Sequence, residues 1–320
     1  LDETRGDAPT INLVVLPREL REYIRAHGGH SKVRPIRSFI RQQGVRADGT
    51  PKFRRIEDCK EGGQNGAAFT CETVFHVSFE WPALAARLLL EVADSLGVPR
   101  EDVPAIMSWL EDMKGAYRQM ANQDSDWSGI LCFWYSGELD AGRLGAPGVR
   151  FARVSGHVFG SAPSVLNFER YARLVTGVLR KRFGVMCANY VDDQIGLDLR
   201  SGGFTARACC RLIHSRAGTR LDDDKSQALA ASNKVLGVMV DLARVASHGY
   251  ASCTATRSRC EGVLSALRHA RGDGRLPHAE VGRCRGKCGF ISQQSAFRIG
   301  RAVYGILGAH ERRGSDEWHG

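Results

Sequence analysis

The chain has 320 residues, of which 43% are hydrophobic and 25% charged, a balance that belongs to a globular protein with one large domain or two to three subdomains. No apolar run approaches the roughly 20 residues that a membrane-spanning helix needs, and the start LDETRGDAPT is polar, with no hydrophobic signal region. The net charge of +10 and pI near 9.3 point to a polyanionic partner.

The charge is unevenly placed. Arg18 to Arg55 holds eleven Lys/Arg against three Asp/Glu, Ala246 to Gly320 holds twelve against six, and the stretch between is roughly neutral. A basic front, a carboxylate-bearing middle and a basic tail suit a nucleic-acid channel around a metal site; solvated surface charge is the plainer explanation of either run alone. The ten Cys are scattered and read as reduced intracellular thiols rather than a disulfide framework. Cys253, Cys260, Cys284 and Cys288 have a C-x6-C and C-x3-C spacing that matches no common zinc knuckle. The chain does not begin with Met, so a fragment or processed piece is expected.

Taken in order, INLVVLPRELREYIRAHGG starts apolar and continues as a short helix that stops at Gly28-Gly29. SKVRPIRSFIRQQGVRADGTPKFRRIEDC alternates apolar and basic residues about Asp48-Gly49, the pattern of a hairpin with a charged outer face. WPALAARLLLEVADSLGV predicts an amphipathic helix with Leu84, Leu88, Val92 and Leu96 along its apolar stripe, stopped by Gly97-Val98-Pro99. The apolar lead into Asp112 predicts a core strand, WSGILCFWYSGE another, and LDAGRLGAPGVRFARVSGHVFG a Gly-rich connector. SAPSVLNFERYARLVTGVLRKRFG predicts a helix with Val165, Phe168, Tyr171 or Ala172, Val175 and Leu179 on one face.

VMCANYVDDQIGLDL predicts two short strands about a tight turn that carries Asp192 and Asp193. FTARACCRLIHSRAG predicts a helix, KVLGVMVDLA a strand pair, and the tail from Glu261 a helical, basic region. Adjacent ionised carboxylates repel, so the Asp pair requires a cation or hydrogen-bond donors. Magnesium suits such hard oxygen ligands, and one turn supplies too few of them. Asp112, at the end of its own strand, is the expected third. On its own, an Asp-Asp turn is more often simply an exposed acidic turn.

The order of motifs resembles a reverse transcriptase of the retroelement type. DMKGAYRQ is similar to that family's first palm motif, FGSAPSVLNFER to its template-primer helix motif, YVDD to its signature, and Lys225 in DDDKSQ and Leu236-Gly237 in KVLGVMVD to the two motifs that follow. Upstream, KFRRIEDCKEGGQN resembles the fingers segment, closed by Asn65; the resemblance covers about residues 30 to 240, and the tail only loosely resembles a thumb.

That resemblance implies an α+β right-hand polymerase with a ferredoxin-like palm. The expected parts are an N-terminal helix and basic fingers over 1–83, a palm over 84–245 with a fingers insertion near 119–157, and a helical basic thumb or connection over 246–320. The implied function is RNA-directed DNA polymerisation on an RNA or DNA template with a primer and deoxynucleoside triphosphates. Two Mg2+ ions, or Mn2+ in their place, would be held by Asp112, Asp192 and Asp193. Tyr117 would select the deoxyribose, Lys52 and Arg54 would clamp the triphosphate, Phe159 and Gly160 would shape the nucleotide pocket, and Lys225 would protonate the leaving pyrophosphate. Asn167, Arg170, Tyr190, Leu236 and Gly237 would meet primer and template. No membrane partner is implied, the location is intracellular, and a ribonuclease H or integrase/recombinase domain would be fused or associated outside this chain.

Two departures from the family pattern stand out: Val158 where a proline commonly precedes the Phe-Gly pair, and a longer fingers segment between Asp58 and Asn65. The alternatives are a degenerate or domesticated copy, an inactive fragment that binds nucleic acid without catalysis, and an RNA-directed RNA polymerase, against which Tyr117 and Val191 speak.

Overall fold

The computed structural model describes residues 11–15, 17–26, 28, 29, 33–45, 49–69, 72–121, 130–135, 147–154, 156–293 and 307. Asp48 of the expected hairpin turn and most of the tail beyond 293 lie outside them.

The site is built on a four-stranded sheet. Its strands are β4 (Ile106–Asp112), β7 (Met186–Tyr190), β8 (Asp193–Leu199) and β9 (Gln227–Ala230), in the order β7-β8-β4-β9 with every neighbour antiparallel. The helix Ala162–Phe183 links β4 to β7 in the chain and the helix Gly203–Arg216 links β8 to β9, so the connectivity is that of a split βαβ unit.

Numbered in chain order, the helices are α1 (Pro17–Ala26), α2 (Gln64–Ala67), α3 (Trp81–Ser95), α4 (Ala162–Phe183), α5 (Gly203–Arg216), α6 (Val245–His248), α7 (Arg257–Asp273) and α8 (His278–Gln293). α4 starts with a proline in its first turn and stops at Gly184, whose φ of +64° suits a residue without Cβ; Arg180, Lys181 and Arg182 in its last turn favour the negative end of the helix dipole.

Strand alternation sends neighbours in β4 to opposite faces. Trp109 joins Val175 and Leu179 of α4 and Ala206 and Cys210 of α5 on one face. Ile106 and Leu110 join Ala85, Ala86 and Leu90 of α3, together with Ile195 and Leu197, on the other. Trp109 is paired with Gly196 on β8, where a Cβ would lie 1.9 Å from the indole, so only glycine leaves room for the ring.

A second sheet of five strands has the order β1-β6-β5-β2-β3, made from β1 (Ile11–Val15), β2 (Ile36–Val45), β3 (Pro51–Asp58), β5 (Ile130–Tyr135) and β6 (Gly148–Val154). The expected hairpin is β2–β3. β6 corrects the Gly-rich connector: GVRFARV is a strand, because Ala152 and Val154 have a core to enter. Val158, at the departure from the family pattern, is 3% exposed and packs with Ile36, Cys59, Leu131 and Val154. A third sheet joins β10 (Ser232–Val235), β11 (Val238–Asp241) and β12 (Ser252–Ala255), so the chain stays with that sheet as far as Ala255 before α7 and α8 pack on each other.

The stripe expected to face the core on α3 faces solvent instead. Leu84, Leu88, Val92 and Leu96 are 47% to 74% exposed, while Pro82, Ala85, Ala86 and Leu90 are buried. The face turned inward carries the small Ala85 and Ala86 beside Leu90, packed against Ile106, Leu110, Ile195 and Leu197.

Candidate active site

Two consecutive carboxylates, Glu111 and Asp112, leave β4 on opposite faces. Glu111 is fully buried and neutralised by α5, accepting from Arg207 Nε at 2.6 Å and from Arg211 Nη1 at 2.9 Å. Arg211 also holds Asp223 at 2.5 Å and so ties the following loop to the same ion pair.

Asp112 stands in register with Asp193 of β8. The β7–β8 turn is two residues, Val191 and Asp192, closed by the Tyr190–Asp193 pair. Val191 adopts φ +53°, a costly conformation for a β-branched residue. The Met113 N–H donates to the Asp192 carbonyl at 3.2 Å, tying the end of β4 to the turn. The structure thus places Asp112, Asp192 and Asp193 at one end of the sheet.

Their electrostatics follow from burial and proximity. Burial, then the charges of Asp192 and Asp112, pushes the Asp193 carboxyl up to about 7. Asp112 is raised chiefly by burial, against the opposing charge of Lys225. Asp192 is raised by burial, while Lys225 and Arg54 pull it the other way. Among the described residues no three His, Cys, Asp or Glu side chains converge closely enough to hold a metal ion as they stand. Asp112 instead has one oxygen 3.3 Å from Lys225 Nζ, which is also 3.0 Å from Asp222. Burial works against the Lys225 charge, but its bonds to Asp222 and Asp112 outweigh it and raise its pKa. The Lys225 loop is pinned by the Asp222 N–H donating to the Asp112 carbonyl at 2.8 Å.

Arg54 and Lys52 are exposed on β3, two residues apart and so on one face of the strand. Tyr117, in a short 3-10 turn over Ala116–Gln119, packs edge-on against Phe159 and Phe168 with ring centroids 5.1 and 5.2 Å away. Burial, and then the charge of Asp192, raises its phenol. Gly160 lies against the Glu57 carbonyl, where a Cβ would come within 1.8 Å. Asn65 brackets the same segment, donating to the Gly160 carbonyl at 2.9 Å and accepting from the Ala162 N–H at 2.8 Å.

The expected primer and template residues are less concentrated. Arg170 is engaged by Glu72 at 2.6 Å, and Asn167 by His157 at 3.2 Å. Tyr190 lies 4.9 Å from the His76 ring, between centroids. Leu236 and Gly237, with φ of +49° and +82°, form the tight turn of the β10–β11 hairpin, and the Arg259 guanidinium of α7 covers Gly237.

Sequence reasoning missed Glu57, Glu111 and Glu169. Glu169 is 4% exposed, bonded by Arg173 at 2.9 Å and Asn189 at 3.0 Å. Each lies within two residues of a basic or candidate catalytic neighbour, Arg55, Asp112 and Arg170 respectively, and only the fold reveals that it is buried.

Solved structures supply the comparison. The chain is similar to a foamy viral protease-reverse transcriptase in complex with double-stranded DNA, at 14% identity and a TM-score of 0.54, over 87% of this chain and 41% of the other. It is similar to a foamy viral protease-reverse transcriptase in complex with an RNA/DNA hybrid at 13% identity and a TM-score of 0.50, over 84% of this chain and 31% of the other. The chain has a reverse-transcriptase-like fold and spans less than half the length of these proteins. No protein-family model and no curated protein matches it.

Proposed function

We propose that the chain is the polymerase portion of an RNA-directed DNA polymerase, with the four-stranded sheet and its helices as palm, the five-stranded sheet as fingers, and α7 and α8 as a basic thumb. The observation that carries this reading is the cross-strand register of Asp112 with Asp193 beside the Val191–Asp192 turn.

The chemistry of the donors suits a divalent cation: three carboxylates raised by burial, Asp193 further by the charges of Asp192 and Asp112, and Asp112 by that of Asp192, are what a hard cation neutralises. Asp112 and Asp192 would hold Mg2+, with Asp193 supporting their charge; bound there, the metal supplies Lewis-acid activation of a primer 3′-hydroxyl and charge stabilisation for departing pyrophosphate. The chain's own residues do the rest. Lys52 and Arg54 clamp the triphosphate by charge-assisted bonds. Tyr117 sits under the sugar and excludes a 2′-hydroxyl, held by Phe159 and Phe168. Lys225 leaves its Asp112 contact to meet the leaving group and give up a proton. The basic segments grip nucleic-acid phosphates without reading sequence.

Two observations favour a second reading, a chain that binds nucleic acid without polymerising: Lys225 engages Asp112, and the described carboxylates are not drawn into a ready ligand set. Primer extension on an RNA template with deoxynucleotides and magnesium separates the two. Extension by the unaltered chain that is lost in Asp192→Asn supports the polymerase; a gel shift of primer-template without extension supports the binder.

A further inference from the structure

Glu57 is buried with none of its side chain exposed, although it lies in a strand that is otherwise largely exposed and basic. It accepts from Arg55 Nε at 2.8 Å, from Arg118, and from the Phe159 N–H at 3.3 Å. Arg118 is itself 6% exposed and lies in sequence directly after Tyr117. Its guanidinium lies 5.4 Å from the centroid of the Phe159 ring, against which Tyr117 also packs. Gly160 fits against the Glu57 backbone and Asn65 fixes its other side.

A buried ion pair of this kind loses so much hydration that apolar side chains of similar size serve stability equally well or better. What the pair adds is direction. Glu57 accepts only where donors meet it, so the β3 strand, the Tyr117 turn and the Phe159-Gly160 segment are locked in one relative position. Lys52 and Arg54 project from the face of β3 opposite Glu57. The strand that carries Lys52 and Arg54 is thus joined through Glu57 and Arg118 to the two aromatic rings.

We propose that the Glu57–Arg118 pair is a positioning device that couples triphosphate binding on β3 to the Tyr117–Phe159 ring pair and thereby sets the choice between deoxyribose and ribose. This rests on the nucleotide-polymerising reading above.

The test uses the full chain and the double variant Glu57→Leu/Arg118→Met, which removes both charges of the pair and leaves only Arg55 and the Phe159 N–H without their Glu57 acceptor. Two measurements are made: equilibrium binding of deoxy- and ribonucleoside triphosphates with magnesium, and primer-extension kcat and KM. The double variant is expected to bind the deoxynucleotide about tenfold more weakly and to lose about tenfold in discrimination, with KM rising more than kcat falls. Glu57→Asp, which keeps both charges but shortens the reach, should shift both quantities part of the way and serves alone if the double variant does not fold. If the unaltered chain extends primers and both variants keep its affinity and discrimination, the coupling is wrong and the polymerase reading stands. If the unaltered chain extends nothing yet its nucleotide affinity and discrimination fall in the variants, the coupling stands and the polymerase reading is lost. Unchanged affinity in a chain that extends nothing overturns both.

Discussion

Asp112 and Asp193 stand opposite each other across the antiparallel β4–β8 ladder, both half-buried and with Lys225 reaching only the first of them by a direct bond. Like charges in such a cross-strand position repel. The unfolded chain ionises this carboxyl near 3.8, so the cost builds as pH rises from there and is complete above about 7, the value to which Asp193 is pushed in the fold. Asp193→Asn should therefore raise the melting temperature of the metal-free chain at pH 8, by on the order of 2 °C, and the two proteins should converge near pH 4. Added magnesium should raise the wild-type melting temperature more than that of the variant. Calorimetry with and without chelator measures both; a variant that melts below the wild type in chelator at pH 8 contradicts the repulsion.

Tyr117 is held by two rings rather than by a hydrogen bond in its expected role, so its effect is steric. Tyr117→Ala should increase ribonucleotide incorporation relative to deoxynucleotide by at least about tenfold and destabilise the fold by about 3 kcal/mol through the cavity it leaves. Competitive incorporation assays and urea unfolding provide the two numbers. An unchanged sugar preference would remove Tyr117 from the gate.

Gly160 and Gly177 make a contrasting pair. A Cβ at Gly160 would strike the Glu57 carbonyl at 1.8 Å, whereas one at Gly177, inside α4, meets nothing within 4 Å. Gly160→Ala should lower stability and nucleotide affinity together, while Gly177→Ala should stabilise by about 1 kcal/mol through helix propensity. Denaturant midpoints order the two against the wild type.

His214, in the last turn of α5, is fully buried, its Nδ1 2.9 Å from the Thr219 hydroxyl, which also meets Tyr171 at 2.7 Å. Burial pushes the imidazole down to about 4, against the attraction of Glu111. The folded state thus holds it neutral while the unfolded chain protonates near 6.5, so its contribution is complete above that pH and is lost as pH falls towards 4. His214→Asn should be less stable than the wild type at pH 7, with the gap narrowing by roughly 1 to 2 kcal/mol at pH 5. Urea unfolding at the two pH values tests it, and a constant gap would place the proton elsewhere.

On α3, the exposed Leu88 and the buried Leu90 should respond very differently. Leu88→Gln should change stability by less than about 0.5 kcal/mol, and Leu90→Ala should cost about 2 to 5 kcal/mol, both read by thermal or urea unfolding. A large loss at Leu88 would mean that the stripe packs against something.

Local chemistry made much of this protein legible in sequence. The YVDD hairpin, the Leu236-Gly237 turn, the β2–β3 hairpin and the faces of α4 follow from periodicity and turn residues that act over a few positions. The same signals singled out Asp112, Asp192 and Asp193 as candidates, and the resemblance of DMKGAYRQ to a reverse transcriptase motif added Tyr117. Sequence alone could not decide which face of α3 turns inward, because alanines and leucines compete for a surface whose shape is set by β4 and β8. Nor could it give β6, whose strand forms only because β5 and β1 flank it. Glu57, Glu111 and Glu169 look like ordinary surface charges until partners 61, 96 and 20 residues away bury them. Periodicity carries no information about pairing across such distances; the register of strands and the packing of helices decide it.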